Sequence, residues 1–165
     1  MKARNYRRVK GQAYTRKKYI RGSPAPKIVK FTMGDPAGDY EFQALLIAEK
    51  EVQIRHNALE AARVATNRVL SEKLGSNYHL KMLPFPHVIL RENKMIFGAH
   101  ADRLQDGMRN AFGKAISVAA RVKPGQKLII ADVNEDGLQF ATTALKRGGA
   151  KLPTPCRVVV KKLEA

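Results

Sequence analysis

Along the chain, apolar positions recur in two rhythms, and the change from one to the other marks the elements. From Lys27 to Met33, Ile28 and Phe31 alternate with polar neighbours as in a strand, and Gly34-Asp35-Pro36-Ala37-Gly38 follows as a turn. Tyr40 to Ile47 reads as a second strand, with Phe42, Leu45 and Leu46 for the core. Around Arg55 to Asn57 the period lengthens, and Leu59, Ala62, Ala65 or Thr66, Val69 and Leu70 trace one face of a helix lasting to Leu74. Asn57 with Glu60 has the form of a capping box, and Gly75 is a stop signal.

Two strands follow, Tyr78 to Leu83 and His87 to Arg91, joined through Pro84-Phe85-Pro86, whose prolines bias Leu83 and Phe85 towards extended backbone. Met95 to Phe97 leads into a stretch, residues 98–117, with neither a hairpin turn nor a helical stripe. Val118 to Val122 and Lys127 to Val133 read as strands around the turn Lys123-Pro124-Gly125-Gln126. Asn134 is placed to cap a second helix burying Leu138, Ala141 and Leu145 and ending at Gly148-Gly149, and Arg157 to Leu163 supplies a last strand. The order predicts one α+β domain over residues 1–165, an antiparallel or mixed sheet packed with two helices.

Charge changes the picture. Lys and Arg number 31 against 14 Asp and Glu, a net +17, an excess that repels itself and attracts polyanions. Nucleic acid is the first candidate partner and an anionic membrane the second. No apolar run approaches the ~18 residues of a spanning helix, and no signal-peptide core is visible, so no membrane role is expected. Cys156 is the single cysteine, which excludes a disulfide framework and a thiolate metal site and fits a reducing compartment. The lack of tryptophan argues against a surface that binds single strands mainly by stacking.

The first 30 residues hold no acid. Arg4, Arg7, Arg8, Lys10, Arg16, Lys17, Lys18, Arg21 and Lys27, with Lys2 and Lys30, are interleaved with Tyr6, Tyr14 and Tyr19, and Gly22-Ser23-Pro24-Ala25-Pro26 closes the segment as a hinge. Residues 1–26 therefore read as an extended basic arm that orders on an anionic partner, its tyrosines suited to bases or riboses. A solvated tail or a localisation signal is the plainer alternative.

The stretch 98–117 is the other candidate site, since an insertion this long in a compact domain is usually a functional loop or disordered. Folded back on itself, it reaches about 25 Å. Arg103 and Arg109 offer planar forks for phosphate or base edges, and Asp102 is placed to hold the first. Gly107 and Gly113 permit close approach or positive φ, while Met108 and Phe112 anchor the base of the loop or pack on a nucleoside.

Other motifs fail. Five residues separate Gly107 from Gly113, and Ala115 stands where a phosphate-binding loop needs Ser or Thr. Asp132 to Gly137 starts like a calcium loop, but its twelfth position is Thr143. His79 and His87 are sheet residues without ligand spacing, Cys156 is a small core residue, and His100 beside Asp102 is an adjacency common by chance. No enzyme, cofactor or metal site is expected.

The residues of the loop are also familiar as a set. Ala101-Asp102-Arg103-Leu104-Gln105, Gly107-Met108-Arg109 and Ala111-Phe112-Gly113-Lys114 closely resemble the central loop of a large-subunit ribosomal protein family, called sixteen in bacteria and ten-e in archaea and eukaryotes. Ala58-Leu59-Glu60-Ala61-Ala62-Arg63 resembles its first-helix signature, and Pro86-His87-Val88-Ile89 with Asn93-Lys94-Met95 the strand entering the loop. Arg21-Gly22 with Lys27-Ile28 resembles the end of its arm, and Ala120-Arg121-Val122 with Gly125-Gln126 the strand leaving the loop. The short stretch after the final strand is similar to archaeal members. His100 stands where the pattern has glycine, and Ala115-Ile116-Ser117 replaces the Pro-Gln-Gly of eukaryotic relatives.

The resemblance implies a cytoplasmic, ribosome-bound, structural protein. Its arm residues would bind large-subunit rRNA near the central protuberance and 5S rRNA, among neighbouring ribosomal proteins and without homo-oligomerisation. Asp102, Arg103, Gln105, Gly107, Met108, Arg109, Phe112, Gly113 and Lys114 would lie towards the peptidyl-transferase centre and tRNA, supporting aminoacyl-tRNA positioning and late subunit assembly. A free RNA chaperone or assembly factor, and an RNA-modifying enzyme using His100 and Asp102, are the competing readings.

Overall fold

The structure is a computed structural model that describes residues 2–9, 11–13, 15–107, 109 and 112–163, with the backbone alone at 101 and 102. Lys10, Tyr14 and Met108, and the side chain of Asp102, lie outside the described residues. Among the described residues, eight strands and two long helices make the expected α+β domain, with the strands divided between two antiparallel sheets rather than joined in one. Strands β1 (Thr32–Gly34), β2 (Phe42–Ala48), β4 (His79–Met82), β7 (Lys127–Val133) and β8 (Cys156–Lys162) make a five-stranded sheet in the order β1-β4-β7-β2-β8. Strands β3 (Val52–Arg55), β6 (Lys114–Val122) and β5 (Val88–Glu92) make a three-stranded sheet in the order β3-β6-β5.

Helix α1 (His56–Leu74) contains neither glycine nor proline, and His56, Leu59, Ala62, Thr66, Val69 and Leu70 are its buried positions. Their three- and four-residue spacing puts them on one stripe, which packs against helix α3 (Leu138–Gly149) and strands β3 and β6, in a core shared with the larger sheet. Leu59, Leu70 and Leu145 are fully buried, each worth about 1.5–3 kcal/mol relative to exposure. This core runs on through Val52, Ile54, Ala120 and Val122, so the inner face of the smaller sheet shares it. A second, smaller cluster of Val88, Leu90 and Ala119 is covered by Tyr6 and Ala13 of the arm.

Several expectations need correction. The expected strand from Lys27 shrinks to Thr32–Gly34, because upstream amides turn to α1: Lys27 N–H donates to His56 Nδ1 and Val29 N–H to Glu60 Oε2. Asn57 and Glu60 form no capping box. The helix starts at His56, and Glu60 instead takes both prongs of the Arg63 guanidinium, at 2.9 and 2.7 Å. That fork is charge-assisted and bidentate, which a single backbone amide cannot match. The Arg63 hydrogen bond, more than its charge, holds the Glu60 carboxyl below the usual range. Arg63 is consequently well covered rather than solvated.

Asn134 precedes a 3-10 turn (Glu135–Gly137) rather than α3 itself, and makes no side-chain cap. Gly148 and Gly149 lie inside α3, whose C-cap is Ala150. Gly75, with φ 62°, ends α1 as expected.

Candidate nucleic-acid interface

The arm is laid on the smaller sheet. Gln53 N–H of edge strand β3 donates to Arg7 O at 2.8 Å, and the Gln53 amide donates to Tyr6 O at 2.8 Å. An open strand edge is a row of unpaired donors and acceptors, and the arm covers part of it. Tyr6 Oη donates to Arg91 O at 2.9 Å; burial, and after it Glu92, push the phenol pKa up, which keeps the proton for that bond. Arg121 donates to Gly11 O from β6. A cavity of about 410 Å³ remains between arm and sheet, bordered by Arg8, Gln12, Val88 and Arg121. The arm's ordering therefore has contributions from the protein body as well as from any anion.

These contacts use mainly backbone and tyrosine, leaving the cations outward. Arg4, Arg7, Arg8, Arg16, Lys17, Lys18, Arg21 and Lys27 are all exposed. Lys18 Nζ lies 4.9 Å from the centre of the Tyr19 ring. Tyr19 itself is exposed, a flat face next to a cation.

Arg91 joins arm to loop. It stands directly after the register shift at Leu90/Arg91, one residue before the end of β5, where an irregularity of this kind re-aims a side chain. Its Nε donates to Thr15 Oγ1 at 3.1 Å, and its guanidinium stands 4.0 Å from the centre of the Phe112 ring. Thr15 is buried, an unusual state for an arm residue. From the strand that enters the loop, a single side chain thus touches the arm and the segment that leaves the loop.

Strand β6 begins at Lys114, four residues before the expected Val118, so the loop proper spans residues 93–113. Pairing of Arg91 with Ala115 and Glu92 with Lys114 carries the ladder that far. The Asn93 amide donates to Gly107 O at 2.9 Å and its oxygen accepts from Gln105 Nε2 at 2.9 Å, closing the loop across its width. Gly107 is buried with φ 61°, a left-handed geometry that favours glycine. One helical turn, α2 (Ala101–Leu104), follows His100, whose φ is 64°. His100, where the resemblance has glycine, therefore keeps a glycine-like backbone. Arg103, Arg109 and Phe112 are exposed, Gln105 is half-buried and Gly113 buried, and Lys114 is exposed at the start of β6.

His56 was not singled out from sequence and sits at the junction behind this site. Its Nδ1 accepts from Lys27 N–H at 3.3 Å, and its Nε2 faces Ser117 Oγ at 3.1 Å. Accepting at Nδ1 puts the neutral ring's proton on Nε2, so Nε2–H donates to Ser117. Desolvation, then Lys27 and Arg55, lower its pKa. The base of the arm and the strand leaving the loop are thereby pinned to the start of α1. Partners so distant in sequence leave no local signal.

Elsewhere the chemistry is structural. His79 Nδ1 meets Asp132 Oδ2 at 2.8 Å and Gln43 donates to Oδ1 at 2.9 Å, a ladder across β4, β7 and β2. His87 Nδ1 lies 3.1 Å from Phe85 O. Burial, then Glu49, raise the Cys156 pKa, the opposite of what a reactive thiolate needs. Among the described residues no three His, Cys, Asp or Glu are grouped to hold a metal, and no helix is long and apolar enough to cross a membrane.

The sequence profile of the family described as ribosomal protein L16p/L10e matches residues 9–159. The chain belongs to that family. Among similar proteins, one of Staphylothermus marinus is 53% identical over 163 residues, covering 98% of this chain and 94% of the relative. One of Hyperthermus butylicus is 52% identical over 155 residues, 93% and 86% of the two chains. One of Picrophilus torridus is 49% identical over 161 residues, 97% and 92%. All three, from archaea, are named large ribosomal subunit protein uL16. Membership of the L16p/L10e family makes the chain a structural ribosomal protein rather than an enzyme, and the resemblance drawn from the loop, helix and strand motifs is correct.

Proposed function

We propose that the chain is a constituent of the large ribosomal subunit in the cytoplasm, binding large-subunit rRNA near the central protuberance and 5S rRNA. The arm supplies the anchorage, through Arg4, Arg7, Arg8, Arg16, Lys17, Lys18, Arg21 and Lys27, with Lys10, Tyr6 and Tyr14 of the same segment. The loop is directed to the peptidyl-transferase centre. There it supports aminoacyl-tRNA positioning and late subunit assembly, through Asp102, Arg103, Gln105, Gly107, Met108, Arg109, Phe112, Gly113 and Lys114.

The observation that carries this reading is the linkage at Arg91, which fastens arm and loop to one strand while leaving the arm cations and loop arginines exposed. Planar guanidinium groups on a braced loop suit phosphate and base edges, and need no chemistry of their own. Preorganisation lowers the ordering cost of binding.

The test is tethered hydroxyl-radical cleavage from Gln105→Cys, in a Cys156→Ser background, within reconstituted archaeal large subunits. Cleavage of peptidyl-transferase rRNA and of bound tRNA is expected. Cleavage confined to remote rRNA would contradict the loop assignment.

A further inference from the structure

Three adjoining hollows of about 280, 420 and 510 Å³ share Lys151 in their walls. The first adds Arg7 and Arg55, the second Arg68 and Arg147, and the third Lys27 and Arg68. No residue of 93–113 lines any of them, so this groove is separate from the loop. Resting on the function proposed above, we infer that the groove centred on Lys151 is a further docking surface for the sugar-phosphate backbone of rRNA.

The lining explains the choice of partner. Against the cations stand Glu60, whose two oxygens are held by Arg63, and Glu72. Lys27, Arg55, Arg68, Arg147 and Lys151 make no ion pair among the described residues. Like charges gathered this way repel one another unless a polyanion spans them. The hollows contain no aromatic side chain, so they offer phosphate contacts without base stacking. Ala58, Ala61, Ala65 and Ala150 keep the walls low between the charged groups.

Helix-dipole complementarity accounts for Arg147, in the last turn of α3, and for little else. Arg68 is mid-helix on α1, Arg55 precedes that helix, and Lys151 follows α3 in a turn where its N–H donates to Gly148 O. With Lys27, three stretches distant in sequence thus converge their cations on one trough. Arg7 borders it as well, so the groove continues the anchorage of the arm onto the helical side of the domain.

The experiment measures binding of the full chain to archaeal large-subunit rRNA across a salt series. Each phosphate contact contributes a log-log slope of roughly 0.7–0.9, so the variant Arg68→Ala/Arg147→Ala/Lys151→Ala is expected to be shallower by roughly 2–3. Arg68→Lys/Arg147→Lys keeps the charge and is expected to keep the slope. Should the triple variant fail to fold, Lys151→Ala alone is expected to lose roughly 0.7–0.9. Slopes equal to the parent's in every alanine variant would overturn the inference, including in favour of an acidic protein partner. A parent chain with no preference for rRNA over random RNA would overturn the proposed function instead.

Discussion

The guanidinium of Arg91 lies 4.0 Å from the centre of the Phe112 ring, joining the strand that enters the loop to the segment that leaves it. Because Phe112 is largely exposed, the pair is worth about 0.5–1 kcal/mol, and the Thr15 hydrogen bond adds about 1 kcal/mol. Arg91→Ala is therefore expected to lower stability by about 1–2 kcal/mol, and Phe112→Ala by less than that. A double-mutant cycle in urea checks the pair; a coupling energy of zero would show that the ring and the guanidinium are merely neighbours. Hydrogen exchange across residues 93–113 should quicken in either variant.

Tyr6→Phe removes one hydroxyl and the bond to Arg91 O. Its cost, about 1 kcal/mol, falls on docking of the arm rather than on the core. Limited trypsin digestion of the free chain should then cut the arm faster while cleavage within residues 27–163 keeps the parent's rate. Deleting residues 1–22 is expected to weaken rRNA binding and to flatten its salt dependence by roughly 0.7–0.9 per lost phosphate contact. An unchanged salt slope would mean that the arm makes none.

Acid should loosen the junction at His56. The unfolded chain protonates this ring near its ordinary value of 6.5, while burial and the nearby cations lower the folded value. Between the two, the unfolded state binds more protons, so stability falls as pH drops below about 6.5 and levels off once the folded ring is protonated. Thermal unfolding from pH 8 to pH 5 should show this decline in the parent chain and less of it in His56→Gln. Parallel pH profiles would remove His56 as the source.

At Gly148 helix α3 lies close against α1. A Cβ there would stand 2.2 Å from Thr66 Oγ1 and 3.4 Å from Ala62 O. Gly148→Ala should cost about 1–3 kcal/mol through overpacking, a fall of roughly 2–4 °C in Tm for each kcal/mol. Adding Thr66→Ala frees the space and should recover much of the loss. A single variant as stable as its parent would show that the helices simply move apart.

The helices and longer strands were legible because each has a regular apolar rhythm. Leu59, Ala62 and Thr66 mark α1, and Lys127–Val133 was read at its observed bounds. Strand β3 was missed: Val52 and Ile54 alternate over only four residues that run straight into α1, too short to separate from the helix start. Division into two sheets was also invisible, since pairing β6 with β3 and β5 is a long-range choice that no local pattern records.

The family was legible in the loop because Asp102, Arg103, Gly107, Arg109 and Gly113 stand together at the spacing of its motif. Its bracing was not. Thr15 and Arg91, or Lys27, His56 and Ser117, meet only after the chain has folded, and an isolated polar residue in a sequence carries no mark of its partner. The supposed capping box misled for a related reason: Glu60 had a stronger partner in Arg63, one helical turn further on.

The most direct measurement is sedimentation of a native lysate through sucrose gradients at moderate and high salt, following this chain. A constituent of the large subunit should migrate with large subunits and whole ribosomes and stay with them in ~0.5 M salt, where loose electrostatic contacts are lost. Recovery at the top of the gradient, or with immature subunits alone, would contradict that account and mark the chain as an assembly factor.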